Sequence, residues 1–372
     1  MNKKITVGIL FGGRSGEHEV SLASARSIIN AIDKNKYEIL PIGITLDGQW
    51  LTGENVLEKL SNYDTKNLTK VILSPLPGDN YLYELAENEG KTYLHPMSII
   101  DVFFPVLHGT FGEDGTLQGF LEMADMAYVG AGVLGASVGM DKALFKDVMR
   151  ANQIPVVESL TFNRSQIQAD FEGICKQIEK ELSYPLFVKP ANMGSSVGIT
   201  KCHNQSDLYE GLLDAARFDR RILVERGVNA REIEISVLGN DSPKASMPGE
   251  IIPKQDFYSY NAKYEDDSTD LLIPAPLPDD LTQQLRKTAI QAYQSIDCAG
   301  MARVDFLVDK ETQAYYLNEV NTIPGFTQIS MYPKLWEASG IPYSKLIDHL
   351  IELALERKKD RDQTERKYRS DE

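Results

Sequence analysis

Residues 302–321, ARVDFLVDKETQAYYLNEVN, decide how the rest of the chain is read. Two runs that alternate apolar with polar residues, ARVDFLVD and AYYLNEVN, flank DKETQ, whose charged and turn-forming composition suits a hairpin connection. Side chains alternate faces along a strand, so Arg303 and Asp305 share one face while Val304, Phe306 and Val308 take the other. On the returning strand the same rule puts Glu319 with Asn321. With Asp305 opposite Glu319, the four residues Arg303, Asp305, Glu319 and Asn321 form one polar patch over an apolar underside. Asp, Glu and Asn at i and i+2 across a hairpin supply hard oxygen donors without imidazole or thiolate, the set that suits Mg²⁺ held partly by phosphates. The adjacent Arg adds a fixed donor fork for developing negative charge. Any one of these residues would fit a solvated sheet face. All four together, followed by the tight backbone of NTIPGF, favour a site.

A chain of 372 residues is too long for one compact core, so two or three domains are expected. Its 42% hydrophobic and 25% charged content is that of an ordinary globular protein, and no apolar run reaches the length of a membrane span. MNKKITVGIL passes directly into a strand pattern without a signal-peptide layout, and a cytoplasmic location is the expectation. The net charge of -15 opposes unspecific binding to nucleic acid, so any anionic ligand must be held by local Lys, Arg and backbone N–H groups. Cys175, Cys202 and Cys298 are odd in number and fit no metal spacing, which reads as reduced, incidental thiols.

KITVGILFGG followed by RSGEHEVSLASARSIINAID gives strand, glycine turn and helix, the opening of a Rossmann-like α/β unit. The fingerprint G-x-G-x-x-G is absent, so no dinucleotide is inferred. Glu17 falls where such sheets gather ligands, although a carboxylate there also complements a helix dipole. YEILPIGIT reads as a second strand, whereas residues 51–95 carry short, mixed patterns without a clear order. DVFFPVL reads as a buried strand delivering HGTFGEDGT, a glycine loop that carries His108, Glu113 and Asp114. Past a domain boundary near residue 125, a Gly/Ala-rich connection leads to a helix with Lys142 near its start. YPLFVKPANMGSSVGITK then places Lys189 on a strand before a small, hydroxyl-rich loop whose backbone could approach phosphate oxygens. Taken alone this loop fits a plain hairpin turn equally well, and no Walker A motif is present.

RILVERGV and REIEISVLG follow as strands carrying Glu225 and Glu232. KQDFYSYNAKYEDDSTDLLIPAPL is polar and tyrosine-rich, with the length and composition of a lid that excludes water. LTQQLRKTAIQAYQSID is an amphipathic helix, WEASGIPYSKLIDHLIELALER closes the fold with helix, and RKKDRDQTERKYRSDE reads as a solvated, disordered tail.

The motifs FGGRSGEHEVS, HGTFGEDGTLQG, MDK, FVKPANMGSSVG, YNAKY, RVDF and NEVNTIPGFT occur in an order that resembles the ATP-grasp superfamily and, within it, the D-alanine-D-alanine ligases, along residues 4–357. The resemblance implies a multidomain α/β (α+β) chain: a Rossmann-like substrate domain over 1–125, a central ATP-grasp subdomain over 126–220, a C-terminal subdomain with metal site and lid over 221–357, and a tail over 358–372. It implies ATP contacts at Lys142, Lys189, Ser196, Glu225, Glu232, Phe257 and Lys263. It makes Asp305, Glu319 and Asn321 the ligands of two Mg²⁺ (or Mn²⁺) ions, and Arg303 with the Gly325 N–H the oxyanion pair. Glu17 would receive the first D-alanine's ammonium with His108 beside it, Ser330 and the Met331 backbone would grip the second substrate's carboxylate, and Ser195 with Tyr264 would link Glu17 to the lid. The implied reaction joins two D-alanine molecules for peptidoglycan precursor synthesis in a homodimeric enzyme that uses neither nucleic acid nor membrane. Tyr264 in YNAKY points to D-alanine rather than D-lactate as acceptor. Another ATP-grasp ligase is a further alternative, and a catalytically silent nucleotide-binding regulator is the reading from another class.

Overall fold

The computed structural model describes residues 3–194, 197–252 and 270–365. Its first sheet contains β1 (Ile5–Gly12), β2 (Tyr37–Ile44), β3 (Trp50–Thr52), β4 (Thr69–Leu73), β5 (Tyr81–Asn88), β6 (Lys91–Ile99) and β7 (Val102–Pro105), in the order β6-β5-β4-β3-β2-β1-β7. ITVGILFG is apolar without alternation because β1 is covered on both faces and lies parallel between β2 and β7. The helix His18–Ala31 turns Leu22, Ala25 and Ile28 onto Val7, Ile9 and Phe11. Burying a Leu or Ile side chain in this way contributes about 1.5–3 kcal/mol. Residues 51–95, unordered in the sequence reading, supply the short antiparallel half of the sheet and end in the exposed edge strand β6.

A second, antiparallel sheet has the order β10-β9-β11-β8, from β8 (Ser159–Asn163), β9 (Leu186–Pro190), β10 (Thr200–Cys202) and β11 (Arg221–Arg226). β11, the first strand after the expected divide at residue 220, belongs to this sheet. Ile222, Leu223 and Val224 are fully buried, and β11 pairs with both β8 and β9.

The third sheet holds β12 (Ala230–Leu238), β13 (Lys244–Ala245), β14 (Gly249–Ile252), β15 (Asp270–Leu272), β16 (Met301–Asp309) and β17 (Tyr315–Asn321), with β16 between β12 and β17. β16 and β17 are the expected hairpin. Val304, Phe306 and Val308 pack beneath it against Ile233, Ile235, Val237 and the helix Asp279–Ser295.

One core joins the two ends of the chain. Leu346, Leu350 and Ile351 of the last helix, Tyr343–Arg361, pack with Ile323 and Phe326 against the first sheet. Phe326 meets Phe104 edge to face with centroids 6.0 Å apart. The segment after the hairpin is thereby fixed beside the strand ends that carry Glu17 and His108. The expected tail also begins in order. Lys358 and Arg361 belong to the helix, where they complement its C-terminal dipole and pair with Asp125 at 3.4 and 3.3 Å. Among the described residues no helix is long and apolar enough to cross a membrane.

Candidate active site

Strand pairing sets the centre of the site. Asp305 stands opposite Glu319 and Arg303 opposite Asn321, with a register irregularity between Asp305 and Phe306. Arg303 donates from Nε and Nη2 to the two oxygens of Asp305 at 2.8 and 2.6 Å, and its Nε lies 3.0 Å from Glu234 Oε2. Asn321 Nδ2 donates to Asp305 Oδ2 at 2.9 Å and lies 3.5 Å from Glu319 Oε1. Burial works against the guanidinium charge, but Asp305 and Glu234 prevail and hold Arg303 firmly protonated. Glu234 was missed by sequence reasoning. Its spacing from Glu232 signals a shared strand face, but only the pairing of β12 with β16 brings it opposite Asp305.

The helix Lys142–Ala151 is capped by Asp141, which accepts from the N–H groups of Ala143 and Leu144. That cap aims Lys142 at the hairpin, with Nζ 3.9 Å from Glu319 Oε2 and donating to Met193 O at 2.8 Å. One turn on, Lys146 is buried 2.9 Å from Glu225 Oε2, and Lys189 pairs with Glu225 Oε1. Burial pushes the Glu225 carboxyl up, but Lys146 and Lys189 overcome this and hold it at about 2. Burial also lowers Lys146. Lys146 was another omission, although its i+4 spacing from Lys142 was visible. Glu232 lies on β12, two residues from Glu234 and so on the same face.

Glu17 lies at the start of the first helix, where its carboxylate fits against glycine backbone. A Cβ on Gly109 or Gly194 would stand 2.6 or 2.7 Å from its Oε2. With Ser15, Thr110, Met193 and Val197 these residues line a cavity of about 230 Å³, smaller than a drug-sized pocket and suited to a small solute. A larger cavity of about 670 Å³ opens between the first sheet and the loop after His108, but no Asp or Glu lines it to receive an ammonium group. His108 Nδ1 donates to Ile323 O at 2.9 Å, and Ser24 Oγ lies 3.4 Å from Nε2. Burial lowers the His108 pKa, so its ring is neutral.

Gly325 comes close to Ser330, whose Oγ accepts from Thr327 N at 3.1 Å and which precedes the helix Met331–Ala338. A side chain on Gly325 would begin 3.2 Å from that oxygen. The described residues thus gather Glu17 and His108 on one side and Arg303, Asp305, Glu319, Asn321 and Lys142 on the other, with Ile323 between them. Ser195, Ser196, Phe257, Lys263 and Tyr264, and most of the expected lid, lie outside the described residues.

Among the described residues no three His, Cys, Asp or Glu side chains form a metal cage. The hairpin instead offers two carboxylates and one carboxamide, hard oxygens in the small number that Mg²⁺ accepts from protein when phosphates complete its shell. The donor chemistry fits magnesium.

The chain matches the family described as D-ala D-ala ligase N-terminus over residues 6–131 and that described as D-ala D-ala ligase C-terminus over residues 148–352. It is 49% identical over 361 residues to a D-alanine--D-alanine ligase of Natranaerobius thermophilus, covering 97% of each chain. It is 53% identical to that of Thermoanaerobacter sp. strain X514, covering 96% of this chain and 98% of the relative. Among solved structures it resembles the D-alanine-D-alanine ligase of Coxiella burnetii, with TM-score 0.82, 37% identity and coverage of 97% and 96%. It also resembles a D-Ala:D-Ser ligase from Enterococcus faecalis, with TM-score 0.83, 35% identity and coverage of 95% and 100%. The chain belongs to the D-alanine-D-alanine ligase family, ATP-dependent carboxylate-amine ligases built on the ATP-grasp fold.

Proposed function

We propose that this chain phosphorylates the carboxylate of one D-alanine with ATP and lets the amine of a second displace the phosphate, giving D-alanyl-D-alanine, ADP and phosphate for peptidoglycan precursors. The observation that carries this reading is the joint placement of Arg303, Asp305, Glu319 and Asn321 on one sheet face, with Lys142 reaching Glu319.

A free carboxylate does not accept an amine at neutral pH, because its oxygen is a poor leaving group. Conversion to an acyl phosphate removes that barrier. Lys142 and Lys189, with Lys263 and Ser196, would hold the phosphates, while Glu225, Glu232 and Phe257 would line the adenosine. Asp305, Glu319 and Asn321 would hold two Mg²⁺ or Mn²⁺ ions, which when bound neutralise phosphate charge and align the transfer. Glu17, which Ser195 and Tyr264 would link to the lid, receives the first D-alanine's ammonium, and the neutral His108 packs beside it without adding charge. Ser330 and the Met331 N–H hold the second carboxylate. As the amine attacks, the carbonyl oxygen becomes an anion that Arg303 and the Gly325 N–H stabilise, a contribution of about 3 kcal/mol per donor.

Incubation with ATP, Mg²⁺ and equal D-alanine, D-lactate and D-serine at pH 7 tests the reading by mass spectrometry of the products. D-alanyl-D-alanine should predominate. A predominant ester, or D-alanyl-D-serine, would overturn the choice of acceptor, and no condensation product would overturn the reading itself. A homodimer and a cytoplasmic location accompany this proposal; sedimentation of the purified chain tests the first and cell fractionation the second.

A further inference from the structure

Glu113 has no part in the chemistry above, yet its carboxylate spans two segments 210 residues apart. Oε2 accepts the Gly109 N–H at 2.8 Å, and Oε1 accepts the Ile323 N–H at 3.1 Å. The carbonyl of the same Ile323 accepts from His108 Nδ1 at 2.9 Å. Both peptide groups of Ile323 are therefore clasped by one glycine loop, through His108 and Glu113. Gly109 is held from two directions, because its N–H meets Glu113 while a Cβ there would stand 2.6 Å from Glu17 Oε2. Ile323 lies two residues before Gly325 and two after Asn321.

We propose that Glu113 is a positioning residue, fixing the pocket for the first D-alanine at Glu17 and His108 relative to the oxyanion donors at Arg303 and Gly325. The inference rests on the ligase reading above. The loop resists sliding for local reasons as well. Phe111 N donates to Asp114 Oδ2 at 2.9 Å, and Gln118 Nε2 donates to Gly112 O at 2.7 Å. These bonds stiffen the loop internally, but neither ties it to the segment 322–326. Glu113 and His108 make that tie, and Glu113 makes it from a position that need not touch substrate. Burial beside Glu17 pushes the Glu113 carboxyl up to about 8. In its neutral form it adds no repulsion beside Glu17.

Steady-state kinetics of the full chain, Glu113→Gln and Glu113→Ala test the inference, with kcat/KM for D-alanine and Kd for ATP measured in parallel. Glutamine keeps one acceptor oxygen and turns an NH₂ towards the other N–H, so one anchor is lost. The expected fall in kcat/KM for D-alanine is about tenfold for Glu113→Gln, as one buried donor goes unmet. It is about 100-fold for Glu113→Ala, the scale of a 1 Å misplacement. The Kd for ATP should stay within twofold in both. Should Glu113→Ala fail to fold, Glu113→Gln decides alone. A Glu113→Gln enzyme with wild-type kcat/KM overturns the inference, as does an equal loss for D-alanine and ATP, which marks general loosening. Absence of D-alanyl-D-alanine in the wild-type control would instead count against the ligase reading.

Discussion

Arg303 grips Asp305 through two parallel hydrogen bonds of 2.8 and 2.6 Å, and Asn321 takes up Asp305 Oδ2 as well. Both oxygens of Asp305, a residue that the proposed chemistry gives to metal, are thus engaged by protein. Glu234, on the neighbouring strand opposite Asp305, gives the guanidinium a second carboxylate, 3.0 Å from its Nε. Asp305→Asn removes the charge and one acceptor oxygen. The magnesium concentration for half-maximal activity should rise about tenfold or more, because Mg²⁺ relies on one or two carboxylates from protein. An unchanged magnesium titration would remove Asp305 from the metal shell.

The proposed mechanism assigns Arg303 the role of an oxyanion donor. Arg303→Ala should lower kcat by about 10²–10³, the usual cost of losing one such donor, while ATP affinity changes little. Loss of nucleotide affinity with intact turnover would contradict the assignment. A melting curve should accompany the kinetics, since Asp305 and Glu234 both lose a cation.

Much of this centre was legible in the sequence. The two-residue alternation in ARVDFLVD and YYLNEVN shows which side chains share a face, and it correctly paired Asp305 with Glu319. Faces do not reveal neighbours. Nothing local says that β12 lies beside β16, so Glu234 was invisible, and nothing local says that β11 pairs with β9. Lys358 and Arg361 looked like a solvated charge run because their partner Asp125 is more than 200 residues away. Residues 51–95 lacked a strong period because β3 has three residues and β6 is exposed along most of its length.

The buried Glu225 sits between Lys146 and Lys189, and its carboxyl is held at about 2. A carboxyl lowered on folding stabilises the fold above its unfolded value of about 4.3, and that contribution is lost as pH falls through about 2. Glu225→Gln strands the buried Lys146 and should cost about 3–5 kcal/mol by denaturant titration at pH 7. The double variant Lys146→Met, Glu225→Gln should recover part of that loss. Additive losses would show that the pair does not act as a unit.

Glu113 has the opposite sign. Its carboxyl is raised to about 8 by burial and by Glu17, with Glu319 adding to the effect. The folded chain therefore keeps a proton that the unfolded chain releases above about pH 4.3, and stability falls as pH rises from there through about 8. The melting temperature of Glu113→Gln should decline less between pH 5 and pH 8.5 than that of the wild type. Parallel declines would show that Glu113 does not carry this titration.

The central claim is that ATP activates the carboxylate of one D-alanine before the second amine arrives. It is tested most directly with D-alanine carrying ¹⁸O in both carboxylate oxygens, by mass spectrometry of the released phosphate and the dipeptide. Acyl-phosphate chemistry predicts one ¹⁸O in each phosphate and three in each dipeptide, because the bridging oxygen leaves with phosphorus. Unlabelled phosphate formed alongside the dipeptide would contradict it.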